Sequence, residues 1–233
     1  MQALALAALD LLFPAVCPVC AARLGPGRRD PLCGGCWSSV ERITPPVCLA
    51  CGVPVPSDAP CAECRAAAPA FDYARAASAF GGAVREAIHG LKFGGRRSVA
   101  RPLGDLIVEQ CGGALADRPQ ALVPVPLARS RRRARGFNQS TLLAERIGER
   151  LGVPVRTHWL ARSRATAPQT DLPAAERRAN VAGAFVASSA VAGQHVVLVD
   201  DVITTGATVG ECARALRAAG AARVGVLAVA RVL

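Results

Sequence analysis

Val196-Val197-Leu198-Val199 is an apolar run with no polar break, three of its residues valine. A strand buried on both faces has that pattern, so the run reads as a strand of a parallel sheet. Asp200 and Asp201 follow, where the strand is expected to end. Val209, Cys212, Ala213, Leu216 and Ala219 then recur at helical spacing, with Gly220 as the expected C-terminal cap. The same order occurs upstream. Ala121 to Leu127 is a short apolar strand that stops at proline, an arginine-dense loop is expected over Arg129–Arg135, and a helix over Thr141–Leu151. Leu142, Leu143, Ile147 and Leu151 face inward in that helix and Gly152 closes it. Val84 to Lys92 reads as a helix with Val84, Ile88 and Leu91 on one face. Leu103–Ile107 continues a second helical pattern, and Phe71–Phe80 has strand-like spots. Strand, loop and helix in alternation predict an α/β fold, a parallel sheet flanked by helices.

Met1 to Phe13 is apolar but too short to span a membrane. It lacks the basic start and small-residue cleavage site of a signal peptide, so a short helix packed on the domain is expected. With no other apolar run of spanning length, a cytoplasmic protein without a membrane span is expected.

Composition adds a core and a charge asymmetry. Hydrophobic residues are 52% and aromatics 4%, so the core is aliphatic and alanine-rich. The formal net charge is +11, and Lys92 is the only lysine. Arginines and acids cancel over residues 1–70, so residues 71–233 carry the whole excess and are expected to meet any anionic partner. Residues 65–70, Arg-Ala-Ala-Ala-Pro-Ala, read as a linker, which divides the chain into domains 1–68 and 71–233.

Eight of the ten cysteines fall into Cys-x-x-Cys pairs: Cys17/Cys20, Cys33/Cys36, Cys48/Cys51 and Cys61/Cys64. Each pair can place two thiolates on a tetrahedral ion, so four pairs make two Cys₄ zinc sites. Disulfides would need an oxidising compartment, and a redox pair would stand alone beside a βαβ pattern. Cys17, Cys20, Cys33 and Cys36 on one ion and Cys48, Cys51, Cys61 and Cys64 on the other give a double zinc ribbon; an interleaved arrangement uses the same residues. So short a segment, with few large apolar side chains, draws folding energy from the metal. Its neutral charge suggests a protein-docking module. Cys111 and Cys212 are expected to be buried as small hydrophobes.

The chemistry concentrates at Asp200-Asp201-Val202-Ile203-Thr204-Thr205-Gly206-Ala207-Thr208. A hydroxyl-rich turn that opens a helix presents free N–H groups to phosphate, and Gly206 lets the backbone approach the anion. No Gly-Lys-Ser/Thr follows, so this is not a P-loop, and Gly-x-Gly-x-x-Gly is absent. The stretch resembles the fingerprint of type I phosphoribosyltransferases, which bind phosphoribosyl pyrophosphate (PRPP). That resemblance implies that Asp200 and Asp201 orient the ribose and favour the positive charge that builds on it as pyrophosphate leaves. Thr204, Thr205, Gly206, Ala207 and Thr208 would hold the 5′-phosphate. The Val125-Pro126-Leu127-Ala128-Arg129 turn would receive the pyrophosphate, and Mg2+ would bind mostly through substrate oxygens. Arg129, Arg131, Arg132, Arg133 and Arg135 have three open readings: neutralising that leaving group, a solvated face, or a nucleic-acid patch. Residues 161–180 lack periodicity and suit a mobile loop closing over the site. His89, His158 and His195 have no paired acid nearby and read as structural.

A closer resemblance rests on His89-Gly90-Leu91-Lys92-Phe93, Val-Pro-Val-Pro at 123–126, Arg135-Gly136-Phe137-Asn138-Gln139, Gln169, Arg177-Arg178-Ala179-Asn180-Val181 and the 199–208 fingerprint. With the cysteine pairs, these resemble the ComF family of competence-associated phosphoribosyltransferase-like proteins over nearly the whole chain. The resemblance implies a type I phosphoribosyltransferase fold and a link to DNA uptake, with single-stranded DNA handled beside a helicase-like partner docked through the ribbons. Two function classes follow. One is a transferase whose acceptor nothing in the sequence specifies. The other is a non-catalytic single-stranded-DNA-binding adaptor that retains the fold.

Overall fold

In a computed structural model, residues 16–25, 32–115, 117–164 and 179–233 are described. The helix expected at Met1–Phe13 lies outside them, as do Gln169, Arg177, Arg178 and most of the 161–180 segment.

Four strands form the central sheet: β1 (Tyr73–Ala79), β2 (Ala121–Pro124), β5 (His195–Ile203) and β6 (Arg223–Arg231), in the order β1-β6-β5-β2. Every pairing is parallel. The short strands β3 (Leu160–Arg162) and β4 (Phe185–Ala187) pair antiparallel as a separate ribbon. Alternation along β5 splits the core in two. Val197 and Val199 face one layer, built from helices Gly82–Phe93, Ala100–Cys111 and Gln139–Leu151 through Leu91, Leu103, Ile107, Leu143 and Ile147. Val196 and Leu198 face the other, built from helix Ala207–Ala218 and the β3–β4 ribbon through Cys212, Leu216, Leu160 and Phe185. Cys111 and Cys212 are buried, as expected for small hydrophobes.

Two expectations are corrected. β5 does not end at the acids. It runs to Ile203, with Asp200 opposite Ala228 and Val202 opposite Ala230, because β6 remains beside it as a pairing partner. The arginine run is a helix, Arg129–Arg135, not a loop. It contains neither glycine nor proline, arginine is a good helix former, and Gly136 at φ +77° ends it.

The cysteine-rich segment is not a free module. Its chain runs along the outer edge of β1: Ala74 N–H donates to Ala50 O at 2.7 Å, Ile43 N–H to Ala77 O at 3.1 Å, and Ala79 N–H to Glu41 O at 2.9 Å. An edge strand with unpaired backbone groups is thereby covered. Arg231, at the end of β6, donates from Nη1 to Cys51 O at 2.8 Å. Cys17, Leu32 and Val40 join the first core layer, and Cys48 and Cys51 join the second. Gly52 makes the close approach possible. It sits at φ +77°, and a Cβ there would lie 2.3 Å from Ala74 O.

Candidate functional site

At the C-terminal end of β5 the chain turns through Thr204, Thr205 and Gly206 into helix Ala207–Ala218. Gly206 is the N-cap in the left-handed region, at φ +74°. Nothing lies within 4 Å of where its Cβ would stand, so the dihedral and not the space demands glycine. The turn starts a twelve-residue helix whose N-terminal N–H groups align with the helix dipole, and Thr205 Oγ1 accepts the first of them, from Ala207, at 3.4 Å. Thr204 and Thr205 add hydroxyls at the surface. A pocket is lined by Asp200, Val202 and every residue from Ile203 to Val209. The sequence-predicted turn residues Thr204, Thr205, Gly206, Ala207 and Thr208 therefore share one concavity with the first acid.

The two acids lean on different elements, as alternation along a strand requires. Asp200 is buried; its Oδ1 accepts from Ser140 Oγ at 3.0 Å and from Asp201 N–H at 2.9 Å. Burial, reinforced by the neighbouring Asp201 charge, pushes its pKa up to about 7 against the lowering pull of Lys92 and Ser140. Asp201 Oδ1 accepts Val202 N–H at 2.9 Å. Its Oδ2 lies 2.6 Å from Lys92 Nζ, the last turn of helix Gly82–Phe93 reaching across to the strand. The ammonium is thereby the polar partner of a buried carboxylate oxygen.

The Arg135–Ser140 stretch ties the site together. Asn138 caps helix Gln139–Leu151 by accepting Ser140 N–H at 3.2 Å, and its Nδ2 donates to Val125 O at 3.0 Å. Val125 N–H in turn donates to Val199 O at 3.0 Å, so the Val125–Pro126 turn is stapled beside the acids. Arg135 donates to Gln139 Oε1 at 2.5 Å and lies 5.2 Å from the Phe93 ring. Burial lowers its pKa, while the Asp201 charge raises it. The other arginines divide by face. Arg131, four residues before Arg135, is half-buried, whereas Arg129, Arg132 and Arg133 are exposed.

Lys92 and Ser140 were missed as site residues from sequence. Lys92 had two signals, its being the only lysine and its place in the His89–Phe93 stretch that carries the family resemblance. Ser140 had none beyond its place after Asn138-Gln139. Among the histidines, His195 lies at the opposite end of β5 from the acids, with Nε2 3.1 Å from Tyr73 OH.

The cysteines form two groups of sequential pairs, Cys17/20/33/36 and Cys48/51/61/64, each with all four sulfurs within 4.8 Å of one another. Tetrahedral zinc with Zn–S of about 2.3 Å needs S···S edges of about 3.8 Å. Cys20–Cys33 at 3.6 Å and Cys51–Cys61 at 3.8 Å fit that shape. Backbone N–H groups of Cys33 and Cys61 donate to Cys17 Sγ and Cys48 Sγ, as thiolates require. Burial opposes ionisation of those two thiols, yet such bonds bring both pKa values down to about 6. The interleaved arrangement is excluded.

Comparison with known proteins agrees. A family model described as a double zinc ribbon domain matches residues 8–65, and one described as a phosphoribosyl transferase domain matches residues 138–232. The "DNA utilization protein YhgH" of Escherichia coli (strain K12) is 35% identical over 228 residues, covering 96% of this chain and all of that protein. The chain is a member of the ComF family. "Competence protein F" of Haemophilus influenzae is 30% identical over 211 residues, 87% of this ComF chain and 91% of the relative. Among solved structures, the glutamine phosphoribosylpyrophosphate amidotransferase of Bacillus subtilis, complexed with ADP and GMP, superposes with a TM-score of 0.40 at 25% identity. That match spans 57% of this chain and 26% of the enzyme. By the two family models, a phosphoribosyl transferase domain with its parallel sheet and a double zinc ribbon are both present. Among the described residues, no helix is long and apolar enough to cross a membrane.

Proposed function

We propose that this ComF protein binds PRPP as its magnesium complex and transfers the phosphoribosyl group to an acceptor. One observation carries the reading: the buried Asp200 and the Thr204–Thr208 turn that starts a helix line one pocket at the carboxyl end of β5, with the buried Asp201 next to it on the strand. Thr204 to Thr208 take the 5′-phosphate. Asp200 and Asp201 accept from the ribose hydroxyls and stabilise the positive charge that develops at C1. The Val125-Pro126 turn receives the pyrophosphate, with Arg129 and Arg135 beside it. Magnesium, held mainly by ligand oxygens and water, supplies charge neutralisation on the pyrophosphate. Asp201 Oδ2 is held by Lys92 Nζ at 2.6 Å, which keeps this buried acid ionised beside the ligand. The division into 1–68 and 71–233 belongs to the same reading, with the ribbons serving a protein partner of helicase type in the cytoplasm. Release of pyrophosphate from Mg-PRPP with a panel of bases and amines tests the transfer. Release that requires one acceptor and disappears in the Asp200→Asn/Asp201→Asn variant supports it; no acceptor-dependent release overturns it.

A second reading is the non-catalytic single-stranded-DNA-binding adaptor. The exposed Arg129, Arg132 and Arg133, with the half-buried Arg131, favour it. The names of the relatives, DNA utilization and competence proteins, point the same way. Apart from Arg129 the two readings use different residues, so PRPP binding and DNA binding can coexist, while acceptor-dependent transfer separates the enzyme from the adaptor.

A further inference from the structure

Arg231 closes β6 and is buried, 8% exposed. A guanidinium does not shed its proton in a protein, so a buried one needs an anion. Among the described residues no carboxylate pairs with it. Its Nε is buried without a hydrogen-bond partner, and its Nη1 donates to a neutral carbonyl, Cys51 O, at 2.8 Å. That carbonyl belongs to a residue of the second four-cysteine group. Four thiolates around one divalent zinc leave negative charge in excess. Cys48 and Cys51 are buried, so part of that excess is withdrawn from water and calls for a cation. Arg75 of β1 also reaches this knuckle, donating to Leu49 O at 3.2 Å, but it is only half-buried. The buried guanidinium and the buried metal centre each supply the charge that the other lacks.

The backbone of Arg231 leads to the pocket. In the ladder Arg231 stands opposite Ile203, and Val232 N–H donates to Ile203 O at 3.0 Å. On the other side Phe80 N–H donates to Arg231 O at 2.7 Å, so the end of β6 is fixed from both flanks. Ile203 is the last residue of β5 and lines the pocket, and Thr204 begins the turn directly after it. A bonded path thus runs from Cys51 through Arg231 and Val232 to Ile203. The first four-cysteine group has no such path. Among the described residues, the hydrogen bonds of Cys17, Cys20, Cys33 and Cys36 stay within residues 17–39.

We propose that Arg231 is the buried counter-charge of the second zinc centre, and that zinc held there positions the end of β5 and the Thr204–Thr208 turn for the ligand phosphate. Metal loading of the ribbon then regulates a pocket that it does not touch. The inference rests on the phosphoribosyl reading of the turn and adds to it a positioning residue and a dependence on one of the two metal sites.

Zinc release to a competing chelator and calorimetry with ribose 5-phosphate test it, using the full zinc-loaded chain. Arg231→Met is expected to weaken one zinc site by roughly 10–100-fold, as loss of a partner behind a metal ligand does, and to spare the other. It is expected to weaken ribose 5-phosphate binding by about fivefold or more. Arg231→Lys keeps the charge and is expected to recover zinc retention. Arg75→Met removes the half-buried cation from the same knuckle and is expected to keep both zinc ions and the ligand affinity. Cys64→Ser reaches the centre without altering β6, which guards against misfolding of Arg231→Met; it is expected to lose one zinc and, with it, ribose 5-phosphate affinity. Wild-type zinc retention in Arg231→Met, an equal effect of Arg75→Met, or wild-type ribose 5-phosphate affinity in Cys64→Ser overturns this inference alone. A wild type that does not bind ribose 5-phosphate overturns the reading of the turn and the positioning role with it.

Discussion

Ser140 Oγ donates to Asp200 Oδ1 at 3.0 Å across a sequence separation of 60 residues, joining the Asn138-capped helix to the acid of β5. The bond favours the ionised carboxylate, against burial and the Asp201 charge that oppose it. Ser140→Ala is therefore expected to move the Asp200 pKa further above 7. NMR titration of the carboxyl carbon in the full chain reads this; an unchanged midpoint contradicts the assigned role.

Asp200 also gives the fold a pH dependence with a definite sign. Its folded pKa, about 7, lies above the ordinary aspartate value of 3.8, so between those values the native state binds more protons than the unfolded one. Its contribution to stability is complete below the lower value and is lost as pH rises through the higher one. The stability of Asp200→Asn minus that of wild type should rise across that window and flatten above it. Denaturant unfolding of both proteins from pH 4 to pH 8 checks the slope, and a difference that falls with pH contradicts it.

The zinc ribbons and the sheet edge should fail together. Ala50 and Cys51 carbonyls accept from Ala74 and Arg231, so the second metal site is bonded to both β1 and β6. Two zinc ions per chain are expected by elemental analysis. Cys48→Ser should lose one of them and lower the melting temperature of the whole chain. A chain that keeps its wild-type melting temperature after chelation would show that the ribbons hang free of the sheet.

Gly52→Ala tests the same junction from the backbone side. A methyl at φ +77° and 2.3 Å from Ala74 O combines left-handed strain with a clash against backbone. The expected loss is roughly 2–5 kcal/mol in denaturant unfolding. A change under about 1 kcal/mol, the size of an ordinary surface substitution, contradicts the docking.

The arginine helix separates two kinds of charge. Arg132 and Arg133 are exposed, whereas Arg135 is turned toward Phe93 and Gln139. Changing Arg132 and Arg133 to Ala should flatten the salt dependence of single-stranded DNA binding and spare PRPP. The log–log slope should fall by roughly 0.7 for each phosphate no longer neutralised. An unchanged slope removes these two residues from any nucleic-acid surface.

Much of this arrangement was legible in the residues. The valine run of β5 and the helical spacing from Val209 to Ala219 appear where the pattern put them, since burial on two faces and on one stripe leave different periods. Four Cys-x-x-Cys pairs specified two metal sites, and only the fold could choose sequential ligation. The strand's extension past Asp200 was hidden because polar side chains usually mark an end, and here they lie along a continuing ladder with β6. The helix at Arg129–Arg135 was hidden because a run of like charge has no apolar stripe. Lys92 and Ser140 were hidden for a different reason. Their roles depend on contacts across 109 and 60 residues, which no local pattern reports.

Titration of the full zinc-loaded chain with Mg-PRPP by calorimetry bears most directly on the pocket. Wild type should bind at one site per chain, and Asp200→Asn/Asp201→Asn should bind at least about tenfold more weakly, since each acid gives up charge-assisted hydrogen bonds to the ribose. Equal affinity in the two proteins, or no binding by wild type, would contradict the assignment of the acids and the Thr204–Thr208 turn to a phosphoribosyl ligand.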